Sequence, residues 1–256
     1  DAAPWDKDLI FVGGINIWKS SDGGKNWKQV SYPYHNDRDL AIIHVDIHDL
    51  IFHEKTNELY AGHDGGIDRT SDLGNNWEEV SDNMDITQFY RMGVSRTEDD
   101  LVIAGCQDNG TNLFDDGRWE EVYGSDGMEC IINYNNPQRM YASIYYGRLL
   151  RSTNRGKNFR HMFRPDQVGQ QAAWVTPFIM DPQDPSILYV GYNDVFKFDN
   201  HGTQNPQKLS DFNGSVLYTL AVAPSNTDYI YAATQSNLYF TSNGGEDWET
   251  MDLNKN

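Results

Sequence analysis

The sequence predicts an all-β fold: a β-propeller of four-stranded antiparallel blades, about six of them in this chain. Three observations predict it, namely one octapeptide written four times, the interval between copies, and the lack of any stretch with a helical period. The copies are Ser20–Trp27, Thr70–Trp77, Ser152–Phe159 and Thr241–Trp248, each reading Ser/Thr, any, Asp/Asn, any, Gly, any, any, aromatic. Asp22, Asp72, Asn154 and Asn243 can fold their side chains back onto the turn amides, and Gly24, Gly74, Gly156 and Gly245 can take the left-handed conformation that closes a tight turn. Trp27, Trp77, Phe159 and Trp248 then re-enter the sheet and are expected to pack between neighbours. Four copies make the motif a hairpin staple between the third and fourth strands of a blade.

The spacing supplies the blade count. The intervals from Trp77 to Phe159 and from Phe159 to Trp248 are each near twice a unit of about 40–50 residues, so each should hide a degenerate copy. One runs through Leu101–Gly105, Thr111–Phe114, a turn at Asp115–Gly117 and Trp119; the other through Ile187–Gly191, Val195–Phe198 and a looser Asn200–Gly202 turn. The blades are therefore placed at about 1–45, 46–87, 88–125, 126–172, 173–214 and 215–256, as one propeller domain.

First strands are expected at Asp46–Phe52, Gln88–Val94, Met128–Tyr134, Trp174–Met180 and Val216–Ala223. Second strands are expected at Asp8–Gly13, Glu58–Gly62, Leu101–Gly105, Arg139–Ser143, Ser186–Gly191 and Tyr229–Ala233, with Asn/Asp/Pro turns between first and second. The first blade is read as opening at its second strand, with only Asp1–Trp5 ahead of it, and an unclosed ring exposes sheet edges. The expectation is that further segments of a parent protein complete a larger ring.

Composition narrows the function classes. A net charge of −18 over 256 residues argues against nucleic acid as a partner, since phosphates would be repelled. It also disfavours anionic membrane surfaces, and no apolar run approaches the ~20 residues that span a bilayer. Cys106 and Cys130 lie at the end of one strand and within the next blade's first strand, where two buried free thiols are the expected state.

Any site should gather at one mouth. In each blade the segment leading into the first strand and the loop leaving the second open on the same face, and polar groups converge there. The candidate ligand-binding residues are His44, His48, Asp64, Gln107, Asp108, Asp126, Glu129, Tyr145, Trp174 and Tyr192. Alternation by two along a strand would put His44, Asp46 and His48 on one side, and with Asp64 they could hold zinc. Asp64, Asp108 and Asp126 offer the oxygen ligands of a calcium site. The same carboxylates, drawn from Asp46, Asp64, Asp108 and Asp126, would be the acid and base if the protein cleaved a glycosidic bond.

The octapeptide resembles the Asp box, or bacterial neuraminidase repeat, of sialidases, xyloglucanase-type glycosidases and sortilin-type propellers. The run His44-x-Asp46-x-His48, Asp64-Gly-Gly, Ile86-Thr-Gln-Phe-Tyr90, Gln107-Asp-Asn-Gly110 and Ser125-Asp-Gly-Met128 is similar to a narrower group, the large secreted sortilin-like and glycosyl-hydrolase repeat proteins of Bacteroidetes. That resemblance covers residues 40–165 closely and the rest through the boxes. It implies a propeller, export (often by type IX secretion) and a place outside the cell or on its surface. No arginine here stands in the Arg-Ile-Pro setting of sialidases, and no segment matches the two catalytic aspartates of xyloglucanases. A non-catalytic binding module for a glycan, peptide or protein is therefore expected over a glycosidase.

Overall fold

The computed structural model describes residues 1–33, 40–81, 84 and 86–252. It divides into two compact units, Asp1–Thr87 and Gln88–Asn256. Each is built from four-stranded antiparallel sheets whose strands follow one another in chain order.

The first unit holds two such sheets. The first runs Ala2–Ala3, Asp6–Gly13, Ile17–Ser20 and Lys28–Gln29, and the second Ile47–His53, Glu58–His63, Gly66–Thr70 and Glu78–Glu79. A short parallel pairing joins Ser31–Tyr32 to Ala41–Ile42. The first sheet thus has the inner strand that the sequence reading missed. Ala2 pairs with Ile10 and Ala3 with Asp6, and the Phe11 N–H donates to the Asp1 carbonyl at 2.8 Å. Two alanines carry no alternation, so nothing in the pattern marks them as a strand.

The second unit holds four sheets. Their first strands are Phe89–Val94, Gly127–Ile132, Phe178–Met180 and Thr219–Val222, and their second strands Val102–Cys106, Met140–Ile144, Leu188–Gly191 and Ile230–Ala233. The fifth sheet's first strand starts four residues later than predicted. Pro177 has no N–H to give a ladder, and the Thr176 hydroxyl donates to the Ala173 carbonyl, so Trp174 stands in the loop ahead of the strand. The degenerate hairpins are where the spacing put them: Asp116 and Gly117 close the third sheet at φ 54° and 76°, and a 3₁₀ turn at Asn200–Gly202 closes the fifth.

Apolar side chains form slabs between successive sheets of each unit rather than one central core. Leu9, Phe11, Ile17, Phe52 and Leu59 fill the slab of the first unit. Leu101, Ile103, Met140 and Leu150 fill that between the third and fourth sheets. Tyr141, Leu149, Phe178 and Phe196 fill the next, and Tyr189, Leu217, Leu220 and Ile230 the last. Half the residues of each strand face one neighbour and half the other, which is why the second strands read as continuous apolar runs.

The octapeptide does what its residues imply. In all four copies the Ser/Thr hydroxyl donates to the Asp/Asn side chain at 2.8–2.9 Å and accepts the box glycine N–H at 2.9–3.1 Å. Asn26 and Ser20 hold the Asp22 carboxyl down to about 2. The glycines sit at φ 87°, 84°, 77° and 95°. At the last three a side chain would also strike the preceding sheet: a Cβ on Gly245 would lie 3.0 Å from the Leu209 Cβ, and one on Gly156 3.1 Å from Leu113. Phe159 packs on Tyr123, and Trp248 meets the Phe212 edge and donates to the Leu209 carbonyl. Trp27 departs from the expectation. It is 41 % exposed and folds onto its own turn, its indole N–H donating to the Gly24 carbonyl at 3.0 Å.

Candidate functional site

In the first unit the predicted ligands do not form one set. Asp46 has φ 62°, outside the strand that begins at Ile47, and the ladder shifts register between Ile47 and Asp49. The alternation that would align His44, Asp46 and His48 is therefore broken. The structure keeps one pair of the four, with His48 Nε2 hydrogen-bonded to Asp64, whose carboxylate raises the His48 pKa. His44 turns instead to stack on His63, ring centroids 5.8 Å apart. No three of His44, Asp46, His48 and Asp64 bring ligand atoms within 4.8 Å of one another. His63, which the sequence reading did not single out, is buried; its Nδ1 accepts the Gly65 N–H and its Nε2 donates to Asp68 at 2.8 Å. Those two bonds specify one neutral tautomer and make His63–Asp68 a structural lock of the hairpin.

In the second unit several predicted residues do meet. Gln107 leaves the second strand of the third sheet, and its Oε1 accepts the Tyr90 hydroxyl at 3.0 Å. Tyr90 Oη in turn accepts the Trp174 indole N–H at 3.1 Å. Trp174 lies parallel to Tyr145, centroids 5.4 Å apart and 8° between planes, and Arg148 covers the Tyr145 ring at 5.2 Å. Tyr146 completes the group, edge-on to Trp174 at 5.2 Å, its backbone N–H donating to the Trp174 carbonyl. The result is a stack of guanidinium, phenol and indole, fixed at its far end by a hydrogen-bond relay to Gln107. Tyr146 and Trp174 remain 52 % and 40 % exposed.

The three-residue loop Tyr145–Gly147 makes this possible. Tyr146 has φ 54°, a costly conformation for a large side chain, and Gly147 follows at φ 66°. A Cβ on Gly147 would sit 2.6 Å from the Tyr192 ring. Tyr192, expected to face a ligand, is instead fully buried, its hydroxyl donating to the Gly147 carbonyl at 3.0 Å. Burial pushes its phenol pKa far up. It does lie in the loop leaving the second strand, but its ring props the Tyr145–Gly147 loop from below.

The remaining carboxylates are engaged. Asp126 Oδ1 accepts the Asp108 N–H at 2.9 Å, holding the Asp108 turn at φ 56°. Glu129 pairs with Arg91 at 2.9 Å; burial raises its pKa, opposed by the Arg91 charge. Cys106 and Cys130 are free and buried, and burial raises both thiol pKa values.

A cleft of about 500 Å³ opens beside the stack, lined by Tyr146, Arg148, Arg164, Asp166, Gln171 and Val216 among others. Sequence reasoning missed Tyr90, Arg148, Arg164 and Gln171. The signal available was Tyr-Tyr-Gly-Arg at 145–148, where a tyrosine precedes the glycine of a tight turn.

A family model for the BNR-Asp box repeat matches residues 17–30. No curated protein matches the chain in sequence. Among solved structures, an ancestral GH74 enzyme is similar at a TM-score of 0.50 and 13% identity, over 98% of this chain and 38% of that one. The extracellular domain assigned to a hybrid two-component system of B. thetaiotaomicron is similar at a TM-score of 0.52 and 17% identity, over 98% of this chain and 32% of that one. The chain thus spans about a third of the length of these proteins. The likeness is one of fold, and the fold is an Asp-box β-propeller. No helix among the described residues is long and apolar enough to cross a membrane.

Proposed function

We propose that the protein is a non-catalytic binding module, acting outside the cell or on its surface, with its ligand site on the aromatic shelf of the second unit. A saccharide is the ligand best supported. The observation that carries this reading is the prearranged stack Arg148–Tyr145–Trp174, which leaves Trp174 and the adjoining Tyr146 open to solvent. Exposed aromatic rings held rigid against solvent offer apolar area without an ordering penalty on binding, and the C–H face of a pyranose is complementary to such a ring. Asp126 and Glu129 are committed to a backbone amide and to Arg91, which favours binding over acid/base chemistry.

Titration of the full chain against a panel of polysaccharides and their oligomers, with reducing ends assayed in parallel, tests the reading. Saccharide binding that drops at least tenfold in Trp174→Ala, with no new reducing ends, is the expected result. Hydrolysis abolished by Asp108→Asn and by Asp126→Asn would replace the binding module with a glycosidase. Absence of saccharide binding, or its survival in Trp174→Ala, would remove the shelf from the function.

A further inference from the structure

The cleft beside the shelf has a chemistry that the stack alone does not explain. In a chain of net charge −18 it presents two arginines, Arg148 and Arg164. Arg164 is matched at 3.5 Å by Asp166 on the same rim, so its charge is partly answered. Arg148 has no carboxylate within ion-pair distance among the described residues. Its guanidinium is held over the Tyr145 ring, 5.2 Å from the centroid, and the residue is exposed in the cleft. What sets Arg148 apart is its place: its guanidinium is stacked on an aromatic ring and lines a cleft, with no carboxylate committed to it.

Other groups in the cleft are similarly divided between held and available. Gln170 spends its carboxamide on Asp194, donating at 3.1 Å and accepting the Asp194 N–H at 3.0 Å. Gln171 is pinned by its backbone alone, its N–H donating to Asn193 Oδ1 at 2.7 Å, and its carboxamide has no partner among the described residues. Tyr146 offers an exposed ring, held in place by its strained backbone and by Trp174. The cleft thus combines one stacking face, one unpaired planar cation and one uncommitted carboxamide, within a volume suited to one or two sugar residues.

We infer that this cleft selects acidic saccharides, taking a uronate residue with its ring against Tyr146 and its carboxylate on Arg148. The inference rests on the saccharide-binding reading above and adds the substrate class. A guanidinium presents paired N–H donors that match both oxygens of a carboxylate, and stacking on Tyr145 fixes that fork before the ligand arrives. Arg164 lies on the same wall as an auxiliary cation, and Gln171 can bond a ring hydroxyl. An acidic peptide could use the arginines too. The exposed Tyr146 ring, edge-on to Trp174, favours a saccharide over a peptide, because the C–H face of a pyranose packs on such a ring.

The decisive comparison is between short oligomers of galacturonic and glucuronic acid and their methyl esters, titrated into the full chain at one salt concentration. Esterification removes the charge and keeps the ring, so it isolates the carboxylate contact. At least one acid form should bind tenfold or more tightly than its ester. Arg148→Gln should abolish that preference, the acid losing at least tenfold more affinity than the ester. Trp174→Ala should weaken acid and ester alike. Retained thermal unfolding of each variant guards against misfolding, and Arg164→Gln, with an expected partial loss, gives a second handle. Equal affinity for acid and ester overturns the uronate inference while leaving saccharide binding intact. Binding of an acidic peptide but of no saccharide overturns both.

Discussion

Two glycines at matching places in the second and third sheets should respond to the same substitution with opposite sign. Gly62 and Gly105 each follow an alanine near the end of a second strand, in Ala61-Gly62-His63 and Ala104-Gly105-Cys106. Neither has the positive φ that demands glycine. On local grounds Gly→Ala should therefore stabilise both by about 0.5–1 kcal/mol, since the unfolded chain loses freedom. Surroundings differ. A Cβ on Gly62 would meet nothing within 4 Å, whereas one on Gly105 would lie 2.1 Å from the Met128 carbonyl oxygen and 2.5 Å from the Gly127 carbonyl carbon. These are backbone atoms of the next sheet, which cannot rotate aside, so the third and fourth sheets would have to separate. Overpacking of this kind costs roughly 1–3 kcal/mol, more where backbone must move. The net expectation is a gain of about 0.5–1 kcal/mol for Gly62→Ala and a loss of about 1–3 kcal/mol for Gly105→Ala. Urea denaturation followed by tryptophan fluorescence reads this as midpoints shifted in opposite directions at unchanged slope. A Gly105→Ala midpoint at or above that of the parent would refute the close sheet-to-sheet approach on which the reasoning depends.

Two further outcomes follow from the same structure. Ser152→Ala removes a hydroxyl that is 1 % exposed and leaves the buried Gly156 N–H without its acceptor, at a cost of about 1–3 kcal/mol; a melting temperature within 1 °C of the parent would show the box hydroxyl to be dispensable. Arg91→Met should act through Glu129, whose pKa is raised by burial and restrained by Arg91. A raised folded-state pKa contributes stability below the unfolded value that is lost as pH rises through the folded one. Removing Arg91 raises that pKa further, so the variant's deficit should be small near pH 4 and grow towards pH 8. A deficit constant across that range would disprove the coupling.

The fold was legible because it is written in turns. Asp22, Gly24 and their counterparts act within eight residues, so their bonds follow from the sequence alone. The second strands were legible as apolar runs. What escaped was set by single residues overriding a local pattern: Ala2–Ala3, too short for a period; Pro177, which delays a strand; and the left-handed Asp46, which undid the His44-Asp46-His48 alignment. The site was half legible. Gln107, Tyr145 and Trp174 were found by loop position and do join through one relay, but Tyr192 occupies an equivalent position and faces inward. Loop position says that a residue is near the mouth. It does not say which way a ring points, and that depended on a glycine contact 45 residues away in sequence.

The antiparallel order also separates what stabilises each sheet from what can bind. In the fourth sheet the turn at Asn135–Pro137 and the box Ser152–Phe159 lie at one end, where the Arg155 N–H donates to the Gln138 carbonyl at 2.9 Å. The loop Tyr145–Gly147 lies at the other, across the five residues Met140–Ile144, or about 17 Å at the usual strand rise. Effects at sites so far apart, with no shared partner, add independently. Ser152→Ala should therefore lower the melting temperature and leave ligand affinity untouched, whereas Trp174→Ala should do the reverse. The Ser152–Phe159 staple can be varied without redrawing the aromatic shelf, and the shelf can be varied without loosening that staple, because the fourth sheet carries them at opposite ends.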